Sequence, residues 1–203
     1  MNVYVRGKTY KDRGSKGRRE GDQILAWNTL NEYSMSNSRG IRYLGIKNPL
    51  FKGLPPYFLL VTTLTKSVAK KPWKDEIDLS NNKIKYWGDT KQGWDGIFDK
   101  RAQGNNRLKL VEEFMNTSDN ILIPPFLHFT KFKSGEMVFN GLCRLDKIER
   151  KTFLDSGEEI ENYLLSLKIL DTDIVDLKWL HSRALSQSID DLDTLAPKEW
   201  LKR

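Results

Sequence analysis

The sequence contains almost no cysteine or histidine and no long apolar run. Its single cysteine, Cys143, excludes disulfides within the chain and is typical of a protein in a reducing cytoplasm. One cysteine and two histidines also exclude a Cys/His zinc site. Because no apolar run approaches the roughly 20 residues that cross a bilayer, we expect no membrane partner. The opening stretch, MNVYVRGKTYKDRG, lacks the apolar core of a signal peptide, so we expect a soluble, cytoplasmic protein.

Familiar catalytic motifs are also absent: there is no GxSxG elbow, no HExxH and no phosphate-binding P-loop. Asp146, Glu149 and Lys151 have the residue types of a metal-dependent nuclease, but they crowd together with no separating strand, so we interpret them as a charged strand end. His128 and His181 lie in predicted secondary structure, where a lone histidine is more often structural. We expect no catalytic residue, no metal and no cofactor, and therefore no enzyme activity in this chain.

Positive charge is what the sequence does have: the net charge is +7, and it is concentrated near the N-terminus. Within residues 6–19 a single acid, Asp12, opposes a run of basic residues, which are Arg6, Lys8, Lys11, Arg13, Lys16, Arg18 and Arg19. We expect residues 1–20 to form a flexible basic arm and residues 21–203 to form one domain. Such an arm either orders on phosphates or is a solvated tail, and composition leaves both interpretations open.

Apolar periodicity predicts short strands interleaved with helices. Helices are expected at 22–33, 104–116 and 174–185, with Asp22 and Asn105 as the first two N-caps. Strands are expected at 57–64, 83–87, 121–132, 135–150 and 162–171. This order predicts an α+β fold, in which flanking helices cover a curved antiparallel sheet or an open β-barrel.

Aromatic residues and aspartates alternate with lysines in the middle of the chain, and they include Trp73, Asp75, Tyr86, Trp87, Asp89, Trp94, Asp95 and Phe98. These aromatics either build the core or line a pocket. A protein that extrudes a base from a duplex stacks it on aromatic faces and contacts its edge with a polar group. The N4 amino group of cytosine needs an acceptor such as an aspartate carboxylate. The sequence YWGD at 86–89 combines both kinds of side chain.

Five motifs occur in an order that resembles a known family: SRGIRY (38–43), PPYFLLVTTL (55–64), WKDEID (73–78), KYWGDTK (85–91) and GNNRL (104–108). PPFLHF (124–129) and APKEW (196–200) extend the similarity to the end of the chain. Together they resemble the N-terminal recognition domain of AspBHI-type restriction endonucleases, which cut DNA carrying modified cytosine. The chain departs from that pattern at Ile41, where the family has an aromatic residue, and at Lys74, where it has proline. The basic arm has no counterpart in it.

The resemblance implies an SRA-like β-barrel, a fold related to plant B3-type DNA-binding domains. SRA-like domains flip a 5-methyl- or 5-hydroxymethylcytosine, whereas B3-like relatives recognise unmodified duplex through the major groove. The nuclease of that family is a separate C-terminal domain. We therefore expect a DNA-recognition domain that binds double-stranded DNA at a short site with modified cytosine. The alternatives are a B3-like reader of unmodified sequence and a protein- or RNA-binding module.

The expected contacts fall into two groups. Contacts to phosphates are expected from Lys8, Lys11, Arg13, Lys16, Arg18, Arg19, Lys70, Lys71, Lys91 and Lys100. Base-reading or pocket residues are expected to be Asn37, Arg39, Arg42, Trp73, Tyr86, Trp87 and Asp89. Within the second group, Arg39 and Arg42 would contact guanine or fill the gap left by a flipped base, and Tyr86, Trp87 and Asp89 would form or frame the pocket.

Overall fold

The computed structural model describes residues 2–12, 21–35, 39–64, 74–155 and 157–202. The helices in these ranges are α1 (Gln23–Trp27), α2 (Gln103–Met115), α3 (Leu177–Leu185) and α4 (Lys198–Leu201). None of them has the length and hydrophobicity that a bilayer-spanning helix needs. The strands are β1 (Val3–Val5), β2 (Thr9–Asp12), β3 (Thr29–Leu30), β4 (Tyr33–Ser34), β5 (Ile41–Tyr43), β6 (Phe58–Thr63), β7 (Glu76–Asp78), β8 (Lys83–Trp87), β9 (Phe126–Lys133), β10 (Gly135–Asp155), β11 (Glu158–Ile169) and β12 (Ile174–Asp176).

One large sheet organises the described residues, with the strand order β5-β6-β9-β10-β11-β8-β7, and β2 pairs with the first residues of β10. Its neighbours are antiparallel except β6 and β9, which run parallel. Strand β10 is 21 residues long and departs from regular register at several points, among them Gly141, whose φ of 145° favours glycine. Irregularities of this kind bend and twist a strand, which allows one strand to pair with β2, β9 and β11 along its length.

Each face of the sheet carries its own hydrophobic core, because side chains alternate along a strand. On β6, Leu59 and Val61 join one core, whereas Phe58 and Leu60 join the other. The first core packs against α1 and α3 and contains Trp179 and Trp200. The second packs against α2 and contains Leu108, Val111, Phe126, Tyr163 and Leu165. Full burial of one large apolar side chain contributes roughly 1.5–3 kcal/mol to the stability of the fold. The two cores together therefore hold the sheet between its helices.

The N-terminal residues differ from the expected flexible arm at residues 1–20. Residues 3–5 pair with β12, and residues 9–12 pair with β10. Tyr4 and Tyr10 are buried in the first core with their rings in edge contact, 5.1 Å apart. The arm prediction is therefore wrong for residues 3–12. It relied on the basic residues and did not take account of the two tyrosines that lie among them. Residues 13–20 lie outside the described part of the chain.

Two predicted helices are shorter than expected for local reasons. Helix α1 is capped by Asp22 as predicted, but it ends at Trp27, and the Asn28 amide donates back to the carbonyl oxygen of Ile24. Asn31 then adopts a φ of 54°, which asparagine tolerates, and turns the chain into the β3–β4 hairpin. The helix expected at 174–185 begins with a strand, β12, and α3 follows once Asp176 caps it by accepting from the Lys178 N–H.

The predicted α+β architecture is confirmed: helices flank a curved, mostly antiparallel sheet. The sheet is open, because its edge strands β5 and β7 pair with different neighbours and not with each other within the described residues. The strands predicted at 57–64, 83–87, 121–132, 135–150 and 162–171 correspond to β6, β8, β9, β10 and β11.

Candidate functional site

Four pieces of the chain meet where β8 ends and α2 begins. They are the turn Arg39–Gly40 before β5, the end of β6, the residues Trp87–Asp89, and the first turn of α2. The Val61 N–H donates to the Gly40 carbonyl oxygen at 2.8 Å, and the Arg39 guanidinium donates to Gln103 Oε1 at 2.5 Å. The contact of Arg39 with Gln103, together with the bond from the Gly104 N–H to Asp89, brings Arg39 close to the segment Trp87–Asp89, which is far from it in the sequence.

Asp89 holds the N-terminus of α2. Its two carboxylate oxygens accept from the backbone N–H groups of Gly104 and Asn105, each at 3.0 Å, and the Asn105 side chain accepts from the Asp89 N–H at 3.0 Å. The predicted cap, Asn105, therefore lies inside the helix, and a residue remote in sequence does the capping. Burial raises the pKa of the Asp89 carboxyl above the usual aspartate range, against the opposing effects of those N–H groups and of the Arg39 charge.

The approach of Asp89 to the helix depends on glycine. A Cβ added to Gly104 would lie 2.8 Å from Ile41 side-chain atoms and 2.9 Å from Asp89 Oδ2. Contacts this short force neighbours to move, so any side chain here would displace either β5 or the carboxylate. Gly104 therefore allows α2, β5 and Asp89 to converge, a role that fits the glycine in the GNNRL motif.

Tyr86 and Trp87 differ in their surroundings. Tyr86 lies in the core, where its hydroxyl donates to the Val61 carbonyl oxygen at 3.4 Å and burial raises its pKa well above the ordinary value. Trp87 is half-buried, and its ring meets the edge of Phe153 at a centroid distance of 5.7 Å. Tyr86 thus lies below the site, while Trp87 stays at its margin with part of its ring covered by the β10–β11 hairpin.

A buried polar network that the sequence did not reveal lies under the same end of the sheet. Thr62 Oγ1 donates to Asp75 Oδ2 at 2.8 Å and lies 3.1 Å from His128 Nε2, and the Asn140 amide lies 2.8 Å from His128 Nδ1. The other Asp75 oxygen accepts from the Trp87 N–H at 3.1 Å. The network spans five strands or strand ends, so only the register of the sheet brings its members together. A structural role for His128, as expected, is consistent with these bonds.

Arg42 lies in the interior, and its guanidinium is fully committed. It is 3% exposed and forms a bidentate pair with Asp12, which is 0% exposed, at 2.8 and 3.0 Å. Its Nε donates to the Arg39 carbonyl oxygen at 2.8 Å, and Lys131 Nζ adds a second cation 2.8 Å from Asp12. This geometry contradicts the expectation that Arg42 reaches a base. Movement of the buried guanidinium towards a base would break its pair with Asp12 and leave the buried carboxylate with Lys131 as its remaining cation.

The predicted phosphate contacts are only partly described. Lys8 is exposed between β1 and β2, Lys11 is exposed on β2, and Lys91 and Lys100 are exposed on the segment between β8 and α2. Lys91 lies 5.7 Å from the centre of the Trp94 ring, and the Arg101 guanidinium lies 5.2 Å from the same ring. The remaining predicted residues lie outside the described part of the chain: Arg13, Lys16, Arg18, Arg19, Asn37, Lys70, Lys71 and Trp73.

Glu149 and Lys151, two of the three residues whose types resemble a nuclease site, form ion pairs along β10. Glu149 accepts from Lys147 at 2.9 Å and lies 3.6 Å from Lys151, and these ion pairs lower the pKa of its carboxyl. Among the described residues no group of three or more His, Cys, Asp or Glu side chains is arranged to hold a metal ion. A groove of about 320 Å³ lies elsewhere, lined in part by Tyr43, Lys47 and Arg107, and none of the predicted base-reading residues that the structure describes lines it.

Solved structures of similar shape define the class of fold. The DNA modification-dependent restriction endonuclease AspBHI matches with a TM-score of 0.75 and 21% identity, over 99% of this chain and 89% of that chain. The DNA recognition domain of the cytosine modification-dependent restriction endonuclease LpnPI matches with a TM-score of 0.70 and 24% identity, over 89% of this chain and 80% of that one. The restriction endonuclease MspJI, solved with a 27-mer oligonucleotide, matches with a TM-score of 0.78 and 18% identity, over 98% of this chain. The chain spans half the length of the MspJI chain.

The family follows from the sequence itself. The model of the restriction endonuclease AspBHI N-terminal region matches residues 4–203, so the chain belongs to that family. The predicted resemblance is thereby confirmed, and the chain shares its α+β fold with the AspBHI, LpnPI and MspJI structures. The comparison with curated proteins gave no match.

Proposed function

We propose that this chain is the DNA-recognition domain of a restriction endonuclease and that it binds a short site in double-stranded DNA containing a modified cytosine. Its membership of the AspBHI N-terminal family supports the domain assignment. The observation that carries the base-reading part is the Asp89 carboxylate, half-buried and oriented by two backbone N–H groups, with Arg39 and Trp87 beside it.

The chemistry of this carboxylate suits cytosine. An aspartate oxygen accepts a hydrogen bond from the N4 amino group, whereas thymine presents the acceptor O4 at the same ring position. A carboxylate that the first turn of α2 already orients loses little further entropy when a base arrives. Arg39, with its guanidinium at the rim, is suited to contact guanine or to replace the flipped base in the stack.

The exposed lysines supply the other part of binding. Lys91 and Lys100 follow Asp89 on one segment, so they would contact phosphates close to the base that Asp89 reads. Lys8, between β1 and β2, and Lys11, on β2, would contact further phosphates, and the basic residues within 13–19 would extend these contacts. Because each phosphate contact releases condensed counterions, binding should weaken steeply as salt rises.

Cleavage would belong to a separate nuclease domain of the parent protein, and this chain would act without a catalytic residue or a cofactor. The AspBHI and MspJI matches are endonucleases, which supports this division of labour. A restriction system works on DNA in the cytoplasm, and we place this chain there. Incubation of the chain with DNA and Mg²⁺ should therefore leave the DNA intact.

A reader of unmodified sequence is the second candidate, and one observation favours it. Tyr86 lies in the core and Phe153 covers part of Trp87, so the described residues offer little aromatic surface on which a flipped base could stack. Such a reader would use the same basic surface and the same Arg39, but would approach the major groove and ignore the cytosine modification.

A competition assay distinguishes the candidates. Matched pools of duplex DNA, with and without 5-methylcytosine, are titrated against the chain at physiological salt. We expect a preference of about tenfold or more for the modified pool, equivalent to about 1.4 kcal/mol. Equally tight binding of particular sequences in both pools would support the second candidate. Binding to neither pool would contradict both and leave a protein- or RNA-binding role.

Substitution of Asp89 tests its role in that preference. Asp89→Asn keeps an oxygen for the helix but places an amide where the N4 amino group needs an acceptor, so the preference should fall about tenfold. Asp95→Asn removes a charge from an exposed position on the same segment and is the matched control. Retention of the full preference by Asp89→Asn would exclude Asp89 as the base reader.

A further inference from the structure

The turn that carries Arg39 is held from below by a buried ionic cluster. Asp12 on β2, Arg42 on β5 and Lys131 on β9 come from three strands that are not sequence neighbours. Arg42 binds both Asp12 oxygens, and Lys131 binds one of them. We call these three residues the Asp12 triad.

The triad is connected to the candidate site through one donor. Once two of the Arg42 nitrogens have bound Asp12, its Nε donates to the carbonyl oxygen of Arg39 at 2.8 Å. The Arg39 side chain, in turn, reaches Gln103 at the start of α2, one residue from the helix N–H groups that hold Asp89. A path of direct contacts therefore runs from Asp12 through Arg42 and Arg39 to the first turn of α2.

The planar guanidinium is what makes this connection possible. An arginine presents donors in a fixed fork, so one side chain can bind a carboxylate with two nitrogens and a carbonyl with the third. A lysine ammonium at the same place would keep the charge next to Asp12, but it would not reproduce both contacts. The two cations also dominate the surroundings of the carboxylate: burial raises the pKa of Asp12, but the bonds and charges of Arg42 and Lys131 outweigh burial and lower the pKa below the usual range.

We propose that Arg42, locked by Asp12 and Lys131, is a positioning residue that fixes the backbone of Arg39 and thereby sets how strongly the site prefers modified cytosine. The inference rests on the proposed function, because it concerns the same site. It adds a requirement for side chains that themselves make no contact with DNA. It also assigns the buried Asp12 triad a role in base recognition in addition to its contribution to stability.

A double-mutant cycle between Arg42→Lys and Arg39→Ala tests this mechanism. The preference for the 5-methylcytosine pool is measured for the wild type, both single variants and the double variant. If Arg42 acts through Arg39, Arg42→Lys should reduce the preference about tenfold in the wild-type background. In the Arg39→Ala background the same substitution should change it by less than about twofold. Equal effects in both backgrounds, or no effect in either, would overturn the inference.

A second buried pair provides the control for stability. Arg183 and Asp193 lie 2.6 Å apart, with side chains 0% and 11% exposed, and Arg183 also donates to the carbonyl oxygens of Pro56 and Leu122, which belong to other segments than the turn at Arg39. Asp193→Asn should lower the thermal midpoint and leave the preference unchanged at temperatures where the protein is folded. A loss of preference in Asp193→Asn equal to that in Arg42→Lys would mean that destabilisation alone explains both, which would also overturn the inference.

The wild type separates this inference from the function on which it rests. A wild type that binds DNA without preferring modified cytosine would contradict the proposed function. The cycle is then scored on affinity for duplex DNA, where the same coupling between Arg42 and Arg39 is expected if the triad positions the turn. A wild type with a clear preference and an uncoupled cycle would leave the proposed function standing and remove the role of the triad.

Discussion

Two buried arginine–aspartate pairs stabilise opposite parts of this chain's sequence, and they use the same chemistry for different purposes. Arg42 with Asp12 lies beside the candidate site, and Arg183 with Asp193 lies under the C-terminal segment. Both arginines are almost completely buried, at 3% and 0% exposed. A buried charge is tolerated only when its partner and its remaining donors are satisfied, and each arginine meets that condition.

The pairs differ in what their remaining donors hold. Arg183 donates to the carbonyl oxygens of Pro56, Leu122 and Ile123, which belong to chain segments packed around the core. Asp193 also accepts the indole N–H groups of Trp179 and Trp200, so it fastens the C-terminal segment to α3. Of these partners of the second pair, Pro56, Leu122, Trp179 and Trp200 are buried in the interior.

Arg42, by contrast, donates from its third guanidinium nitrogen, Nε, to the carbonyl oxygen of Arg39 at the rim of the site. The comparison teaches that burial and pairing do not distinguish a residue that supports the fold from one that supports a site. The two kinds of arginine differ in the acceptors that their remaining guanidinium nitrogens contact. Substitutions at Arg183 and Asp193 should therefore lower stability without changing the preference for modified DNA, whereas substitutions at Arg42 should change both.

The largest effect is expected for Arg183→Met. The substitution fills much of the volume but leaves three carbonyl oxygens and Asp193 without their guanidinium partner, and loss of one member of a buried pair typically costs about 3–5 kcal/mol. Unfolding in urea should show a loss of that size. Binding by the folded fraction should keep its preference for modified DNA. A preference that fell with stability would erase the distinction between the two centres.

Asp12→Asn is expected to cost about 3 kcal/mol at neutral pH, because it leaves Arg42 and Lys131 buried without a counter-charge. The folded pKa of Asp12 is lowered, so its stabilising contribution is present above the ordinary value of 3.8 and is lost as pH falls through the lowered value. The difference in unfolding free energy between wild type and variant should therefore be constant from neutral pH to about pH 5 and shrink below pH 4. A difference that stayed constant to pH 2 would contradict the assignment.

Sequence patterns predicted the strands and the family because both rest on local information. The aromatic and β-branched run at 57–64 and the two apolar runs predicted at 121–132 and 135–150 are visible in consecutive residues, and they correspond to β6, β9 and β10. The turn at Lys133–Gly135 was equally local. Side-chain period and turn residues are what a single sequence records best.

The predictions that were wrong concern residues whose surroundings are formed by contacts between distant parts of the sequence. Arg42 has the same sequence context as Arg39, and only the pairing of β2 with β10 brings Asp12 within reach of it. The cap of α2 was assigned to Asn105 because caps are sought locally, whereas Asp89 reaches the helix across the chain. Tyr4 and Tyr10 were hidden among basic residues, and their burial follows from strand pairing that no local pattern of the basic run indicates.

Gly104→Ala tests the convergence at the site with a smaller effect. Alanine would favour the helix by up to about 1 kcal/mol, but its Cβ would press on Ile41 and Asp89, and overpacking of this kind costs about 1–3 kcal/mol. We expect a small net loss of stability and a marked loss of preference for modified DNA, measured by urea unfolding and by the competition assay. Gly45→Ala is the matched control, since a Cβ there meets nothing within 4 Å. An unaltered preference in Gly104→Ala would show that the position of Asp89 is not critical.

The smallest effect is expected for the exposed lysines, which neither centre holds in place. Lys91→Gln and Lys100→Gln should each weaken binding to modified and unmodified pools equally, and each should reduce the slope of log affinity against log salt by about 1. Lys178→Gln, on the exposed side of α3, is the control and should leave the slope unchanged. A lysine variant that altered the preference between pools would place that lysine with Arg39 and Asp89 as a reader of the base. Unchanged slopes for both lysines would instead move the phosphate-binding surface away from the segment between β8 and α2.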